Sequence, residues 1–265
     1  MTSTTVVTVV AGRHDHLSAQ RRHLEHVRPG TRHVIVSMGD PQIDATIYLD
    51  VPEGAALPLA AARNAGVAAA IDGGADLVVL LDVDCLPGAR LLERYEQAAR
   101  THPDSLLCGP VTYLPPDAGR PDPADLEAWR SPHPARPAPP DGTVETGGDP
   151  RLFWSLSFAV TPRTWRRLGG FCEDYTGYGG EDTDLGFTAR ERGIDLVWVG
   201  GADAYHQHHP VSDPPREHVA DIVRNATVFH QRWGVWPMEG WLAAFEREGL
   251  VVHTDGRWRL PATSA

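Results

Sequence analysis

Asp82 and Asp84 follow directly on the apolar run Leu77-Val78-Val79-Leu80-Leu81. Two carboxylates this close repel each other and are costly to desolvate. A divalent cation relieves both problems at once. A second acidic group, Glu181, Asp182 and Asp184, follows Gly177-Tyr178-Gly179-Gly180. Acids in the first turn of a helix are favoured by its dipole, which accounts for one or two of them. It does not account for the glycines, Gly179 and Gly180 among them, that let backbone approach a ligand closely. The third group is His206, His208 and His209. Imidazole with hard oxygen ligands suits Mn²⁺ or Mg²⁺, and the imidazole favours Mn²⁺. Arg63 and Asn64 are the only side chains of an alanine-dense segment able to reach a phosphate or hydroxyl. Arg13 and Asp40, each just past an expected strand, are candidates for nucleobase or ribose contacts.

These groups need a sheet to position them. An apolar run without alternation reads as a strand buried on both faces, typical of the centre of a parallel α/β sheet. In such sheets ligands bind at the carboxyl ends of the strands, where Asp82 and Asp84 lie. The pattern predicts further strands over 5–11, 33–37, 46–50, 106–113, 152–161, 195–199 and 202–206, with 195–199 edge-like. Helices are expected over 18–27, 57–71, 89–100, 162–168, 181–192, 217–233 and 238–248. Pro58 suits a helix start and Gly193 a helix stop. Residues 115–150 are crowded with proline and read as one long loop, a lid rather than a linker. Trp233, Trp236 and Trp241 read as a packing clamp over the histidine segment.

At 265 residues the chain fits one large α/β domain. Its net charge of -11 makes nucleic acid a poor partner. All 24 basic residues are arginine. Cys85, Cys108 and Cys172 have no metal-type spacing, so free thiols in a reducing compartment are expected. No stretch approaches the ~20 apolar residues of a membrane span. No signal peptide pattern precedes the first strand, and a cytoplasmic protein without a transmembrane segment is expected.

Asp82-Val83-Asp84 at the end of a buried strand resembles the Asp-x-Asp signature of nucleotide-sugar glycosyltransferases with the GT-A fold. Arg63-Asn64-Ala65-Gly66 upstream is similar to family 2 of these enzymes. Gly177-Tyr178-Gly179-Gly180-Glu181-Asp182-Thr183-Asp184 resembles the Gly-Trp-Gly-Gly-Glu-Asp-Asp-Asp block of the β-1,4-galactosyltransferases. Tyr178 stands in place of the tryptophan and Thr183 in place of an aspartate. The likeness covers roughly residues 60–210. It implies a mostly parallel central sheet flanked by helices, a nucleotide-diphosphate sugar donor, and a sugar or small-molecule acceptor. It also implies that Glu181 holds sugar hydroxyls, that Asp182 is the catalytic base, and that Tyr178 stacks on sugar. One histidine after the last strand completes the metal site in that family. His206 is the first choice beside Asp84, with Asp82 assisting, and His208 lies on the same side of an extended chain. Asp203 then falls where the family has a methionine.

The expected organisation is a single GT-A domain over 1–265. It divides into a donor-binding half over 1–114, the proline-rich, acceptor-side loop over 115–150, an acceptor and catalytic half over 151–249, and a tail over 250–265. The expected function is a metal-dependent, inverting transfer of sugar. The alternatives are a retaining transferase and a non-catalytic nucleotide- or carbohydrate-binding protein of the same fold. A nucleotidylyltransferase would require a longer Gly-rich, basic loop than Ala11-Gly12-Arg13.

Overall fold

The computed structural model describes residues 2–210 and 212–261. The last four positions of the expected 250–265 tail lie outside the described residues. The chain begins with β1 (Thr4–Val10), α1 (His14–Val27), β2 (Arg32–Met38), β3 (Ile47–Leu49) and α2 (Leu59–Asp72). It continues with β4 (Leu77–Leu81), β5 (Cys85–Pro87), α3 (Leu91–Thr101), β6 (Leu106–Cys108), β7 (Val111–Tyr113) and β8 (Val144–Thr146). Then come β9 (Ser157–Val160), α4 (Pro162–Leu168), α5 (Glu181–Glu191), β10 (Leu196–Val199) and β11 (Ala204–His206). Helices α6 (Val219–Trp233) and α7 (Glu239–Arg247) and a hairpin of β12 (Val252–Thr254) and β13 (Arg257–Arg259) close the chain.

Eight strands form the main sheet in the order β3-β2-β1-β4-β9-β6-β10-β8. β9 runs antiparallel to both β4 and β6, and β8 antiparallel to β10. The other pairings are parallel. This is the expected α/β class, a mostly parallel central sheet with helices on both faces. β4 shows why its five apolar residues lack alternation. Val78 and Leu80 pack into one core with α2, α4 and α5, while Leu77, Val79 and Leu81 pack into another with α3. Gly66 lets α2 lie close against the sheet, because a Cβ there would sit 2.5 Å from Val7 Cγ1.

Five expectations differ. The strand over 106–113 is two strands in different sheets. Pro110 carries no N–H for a ladder, and Gly109 breaks away by donating its N–H to Tyr95 Oη at 2.8 Å. The stretch 115–150 is not one irregular loop. It folds into short 3₁₀ turns, Pro116–Ala118 and Pro123–Trp129, and contributes β8. β8 covers β10, which is therefore interior rather than edge-like. α1 begins at His14, because only Gly12 and Arg13 take the left-handed turn (φ 63° and 51°). The strand over 152–161 starts only at Ser157, preceded by the 3₁₀ turn Pro150–Leu152.

A second sheet, β5-β11-β7, stands at the carboxyl end of β4. β5 occupies the residues right after Asp84, a stretch for which the pattern predicts no element before the helix over 89–100. Antiparallel pairing sets His206 opposite Cys85, and parallel pairing sets it beside Tyr113. Among the described residues no helix is long and apolar enough to cross a membrane.

Candidate functional site

The turn that carries Asp82 and Asp84 is held from below by Gln20, a fully buried residue of α1. Its amide Nε2 donates to the carbonyls of Asp82 (2.7 Å) and Cys85 (2.9 Å), and its Oε1 accepts from the Thr8 hydroxyl. The Gln207 N–H adds a bond to the Asp84 carbonyl at 2.6 Å. With the backbone pinned, the two carboxylates point to different partners.

Asp84 Oδ2 lies 3.4 Å from His206 Nε2, 3.5 Å from His209 Nε2 and 3.4 Å from Arg13. One ligand atom from each of Asp84, His206 and His209 falls within 4.8 Å of the others. Burial pushes the Asp84 carboxyl up, but hydrogen bonds from His206 and His209, with the charge of Arg13, outweigh it and hold it well below the usual range. Burial works against a charged His206, yet Asp84 raises its pKa. An ionised carboxylate and two imidazoles converging in this way fit Mn²⁺ better than Mg²⁺. His208, the second histidine expected in the metal set, is instead exposed and lines a neighbouring cleft with Asp15, His16, Gly119, Arg120 and Gln207. His209 takes the place beside Asp84, because β11 ends at His206 and the chain turns after it. Asp203 points away and accepts from Arg130 at 2.9 Å.

Asp82 faces the other motif. Arg63 reaches Asp82 Oδ1 at 3.1 Å and Glu181 Oε1 at 2.9 Å, the latter 118 positions away in sequence, and so ties the two acidic motifs together. Arg63 is 5% exposed. Burial opposes its charge, but Asp82 and Glu181 raise its pKa. Asp82 itself is pushed up, by burial first, against the pull of Arg63. Glu181 Oε2 is buried and has no hydrogen-bond partner, which leaves one acceptor of the motif unused. Asn64, expected to reach a ligand, is used structurally. It donates to Phe171 O and Glu173 and accepts from the Phe171 N–H, pinning the turn before the glycines.

Gly179 and Gly180 have φ of 90° and 97°, which an L side chain rarely adopts. Their carbonyl side is fastened by Asn225 of α6, whose amide donates to the carbonyls of Thr176 (3.0 Å), Tyr178 (3.2 Å) and Gly179 (2.8 Å). The helix tail also fixes Asp184, which is 2% exposed. Asp184 accepts from Tyr175 Oη (3.0 Å), Arg232 Nε (2.7 Å) and Trp233 Nε1 (2.7 Å). The tryptophan clamp expected over the histidines thus holds the start of α5 instead, through Trp233. Trp236 stacks on His230 at 4.0 Å, and Trp241 leans toward Tyr178. Sequence signals for Asn225 and Asp184 as supports were weak, since a helical Asn or Asp reads as solvent-facing.

Asp182 is left half-buried. It accepts from the Thr183 N–H at 2.6 Å and from the Thr183 hydroxyl at 3.4 Å. Burial and the neighbouring Glu181 push its carboxyl up to about 7. A group that changes charge near neutrality can exchange a proton there. Tyr178 is exposed and stacks on His218 at 4.4 Å. Burial of its hydroxyl, then Asp182, Glu181 and Asp84, push the phenol up to about 12, as befits a ring among these carboxylates. Arg13 helps wall a cleft of about 580 Å³ with His14, Asp15, His16, His209 and Pro210. Asp40 is not brought to the cluster. It pairs with His14 at 2.8 Å and caps the Gln42 N–H.

No family model matches the chain. It is 42% identical over 45 residues to validoxylamine A glucosyltransferases from Streptomyces hygroscopicus subsp. jinggangensis and subsp. limoneus. These matches take in 17% of this chain, and span only 11% and 10% of the curated relatives. Among solved structures, the chain is similar to the catalytic domain of Drosophila β1,4-galactosyltransferase 7 in complex with xylobiose. That likeness has 16% identity and a TM-score of 0.49, covering 79% of this chain and 72% of that one. It is also similar to a mutant of that enzyme in complex with manganese, UDP-Gal and xylobiose. Here the identity is 18% and the TM-score 0.48, with 78% and 71% covered.

Proposed function

We propose that the protein is a metal-dependent glycosyltransferase that moves a sugar from a nucleoside diphosphate to an acceptor hydroxyl, with inversion. The observation that carries this reading is the pairing of two differently tuned acids, Asp84 among imidazoles and Asp182 near neutrality. The short likeness to glucosyltransferases supports a sugar-transferring role. Residues 1–114 form the donor-binding half and 151–249 the catalytic half, and 115–150 lies on the acceptor side.

Asp84, His206 and His209 would hold the cation, Mn²⁺ in preference to Mg²⁺, with Asp82 behind them, oriented by Arg63. The bound metal supplies charge neutralisation for the leaving diphosphate. Arg13, freed from Asp84, is within the cleft to meet the same phosphates. Glu181 accepts from a sugar hydroxyl through its unpartnered Oε2. Tyr178 offers a ring face to sugar. Asp182 takes the proton from the acceptor hydroxyl as that oxygen attacks the anomeric carbon. The carbon–oxygen bond to the diphosphate breaks on the opposite face.

The test is a thermal-shift titration with UDP and GDP, with and without Mn²⁺, on the parent and Asp84→Ala. A ligand selective for the native state raises its stability with concentration. A metal-dependent shift in the parent that vanishes in the variant is expected. An equal shift in both removes the metal centre. Slow donor hydrolysis with Mn²⁺ then separates an enzyme from a binding protein, which gives none.

A further inference from the structure

Among the described residues, one guanidinium is buried with no hydrogen-bond partner at any of its nitrogens. Arg136, in the stretch between β7 and β8, is 5% exposed, and none of its three side-chain nitrogens has a hydrogen-bond partner. Its cation lies between two indoles, 5.3 Å from the Trp154 ring centre and 5.2 Å from that of Trp198. Stacking on two rings offsets part of the loss of water. It satisfies none of the five N–H donors. An arginine cannot shed its charge, so a buried one calls for oxygen acceptors. No carboxylate pairs with it among the described residues.

The place of this cation in the fold indicates what completes it. The backbone around it hangs on β7: the His133 N–H bonds to the Val111 carbonyl, and Pro132 bridges Thr112. A continuous aromatic wall leads from there to the metal cluster. Trp154 meets His133 at 5.1 Å, His133 meets Tyr113 at 5.6 Å, and Tyr113 stacks on His206 at 4.7 Å. Tyr113 is 46% exposed, so the wall faces solvent beside the metal. Trp154 is half-buried and held by one polar contact, Nε1 to the Arg151 carbonyl at 3.2 Å. Trp154 contacts both the guanidinium and His133, so its ring stands between the cation and the wall. Arg13 and the cleft around it lie on the opposite flank of the cluster, against α1.

We infer that Arg136 anchors an oxyanion, a carboxylate or a phosphate, carried by the acceptor, with Trp154 as its movable cover and Tyr113 and His133 as the adjoining platform. The planar fork of the guanidinium matches either group in a bidentate pair. This assignment of the oxyanion to the acceptor rests on the transferase reading, whereas the oxyanion site itself does not.

The experiment is thermal unfolding without metal, at constant ionic strength, with inorganic phosphate, glucuronate or glucose added to the parent, Arg136→Met and Arg136→Lys. The parent should show a saturable rise in midpoint with glucuronate, a smaller or equal one with phosphate, and none with glucose. Arg136→Met should lose the rise, and Arg136→Lys should need a higher concentration to reach it. Phosphate alone raising the parent midpoint overturns the acceptor assignment. No rise with either anion, or equal rises in parent and variants, overturns the oxyanion site. Should both variants fail to fold, Trp154→Phe decides: its half-saturating glucuronate concentration must differ from that of the parent, and an unchanged one overturns the proposal. Mn²⁺-dependent UDP binding, measured on the same Arg136 variants, should equal that of the parent. If the parent itself binds no nucleotide, the transferase reading fails while the anion result still stands on its own.

Discussion

Asp84 and Asp182 each belong to a short acidic motif at the mouth of the same sheet, and their surroundings push their carboxyls in opposite directions. Asp84 is met by two imidazoles and a guanidinium, which hold its carboxyl well below the usual range despite burial. Asp182 meets another carboxylate, Glu181, and burial pushes it up to about 7. Nothing in the residue type separates them. Opposite shifts in one cleft suit opposite roles, a permanently charged ligand and a proton acceptor. The difference also shows in what supports each pole. The Asp84 turn is held by α1 through Gln20, whereas the Asp182 turn is held by α6 through Asn225 and through Arg232, which donates to Asp184.

The largest test of that contrast is Asp182→Asn. It keeps the size and removes the basicity. Transfer should fall by roughly 10²–10⁴-fold, the usual contribution of a general base. Nucleotide affinity should stay near that of the parent. Paired initial rates and calorimetry measure both, and a near-parental rate would break the proposed division of roles.

The pH profile sharpens the same point. Below about 7 the Asp182 carboxyl is neutral and cannot accept a proton. The transfer rate should therefore climb about tenfold per pH unit toward about 7 and then level off. The stability sign runs the other way. Folded Asp182 keeps a proton that the unfolded chain releases above 3.8, so its contribution to stability declines as pH rises from 3.8 to about 7. A rate that is flat from pH 5 to 8 would place the essential base elsewhere.

At the other pole, His209→Ala should weaken Mn²⁺ binding by about 100-fold or more, beyond what loss of a mere supporting partner costs. His208→Ala should leave it unchanged. Mn²⁺ titration followed by calorimetry distinguishes them, and equal losses would return the choice between the two histidines to open ground. The smallest effect is expected on the scaffold. Asn225→Ala removes three hydrogen bonds to the glycine turn and should cost about 1–3 kcal/mol in urea unfolding. It should lower transfer more than Mn²⁺ binding, because it loosens only the Asp182 pole.

Much of this arrangement is legible in the residues. The five apolar positions of β4 need two covered faces, which implies a central strand and places Asp82 and Asp84 at its end. The glycines before Glu181 have no use in a plain helix start, and their positive φ values bear out a backbone that only glycine adopts readily. Strand and helix periodicities are local, so most elements fall within a few residues of expectation. The exceptions are decided by distant partners. β6 and β7 look like one strand until Gly109 and Pro110 send them to different sheets, and β8 looks like loop until β10 pairs with it.

The sequence by itself determined which residue types gather at the strand ends, because hydrophobic period and glycine placement act over a few residues. Only the tertiary structure decided their use. The pairing of β11 with β5 brought His206 to Asp84, and the turn beyond it brought His209 there and left His208 outside. Arg63 became an internal tie between the two motifs instead of a free phosphate contact. Burial beside Glu181 carried Asp182 to about 7, where the helix dipole alone would have held it down. Desolvation and charge pairing depend on distance in space, and the order of residues along the chain does not contain that distance.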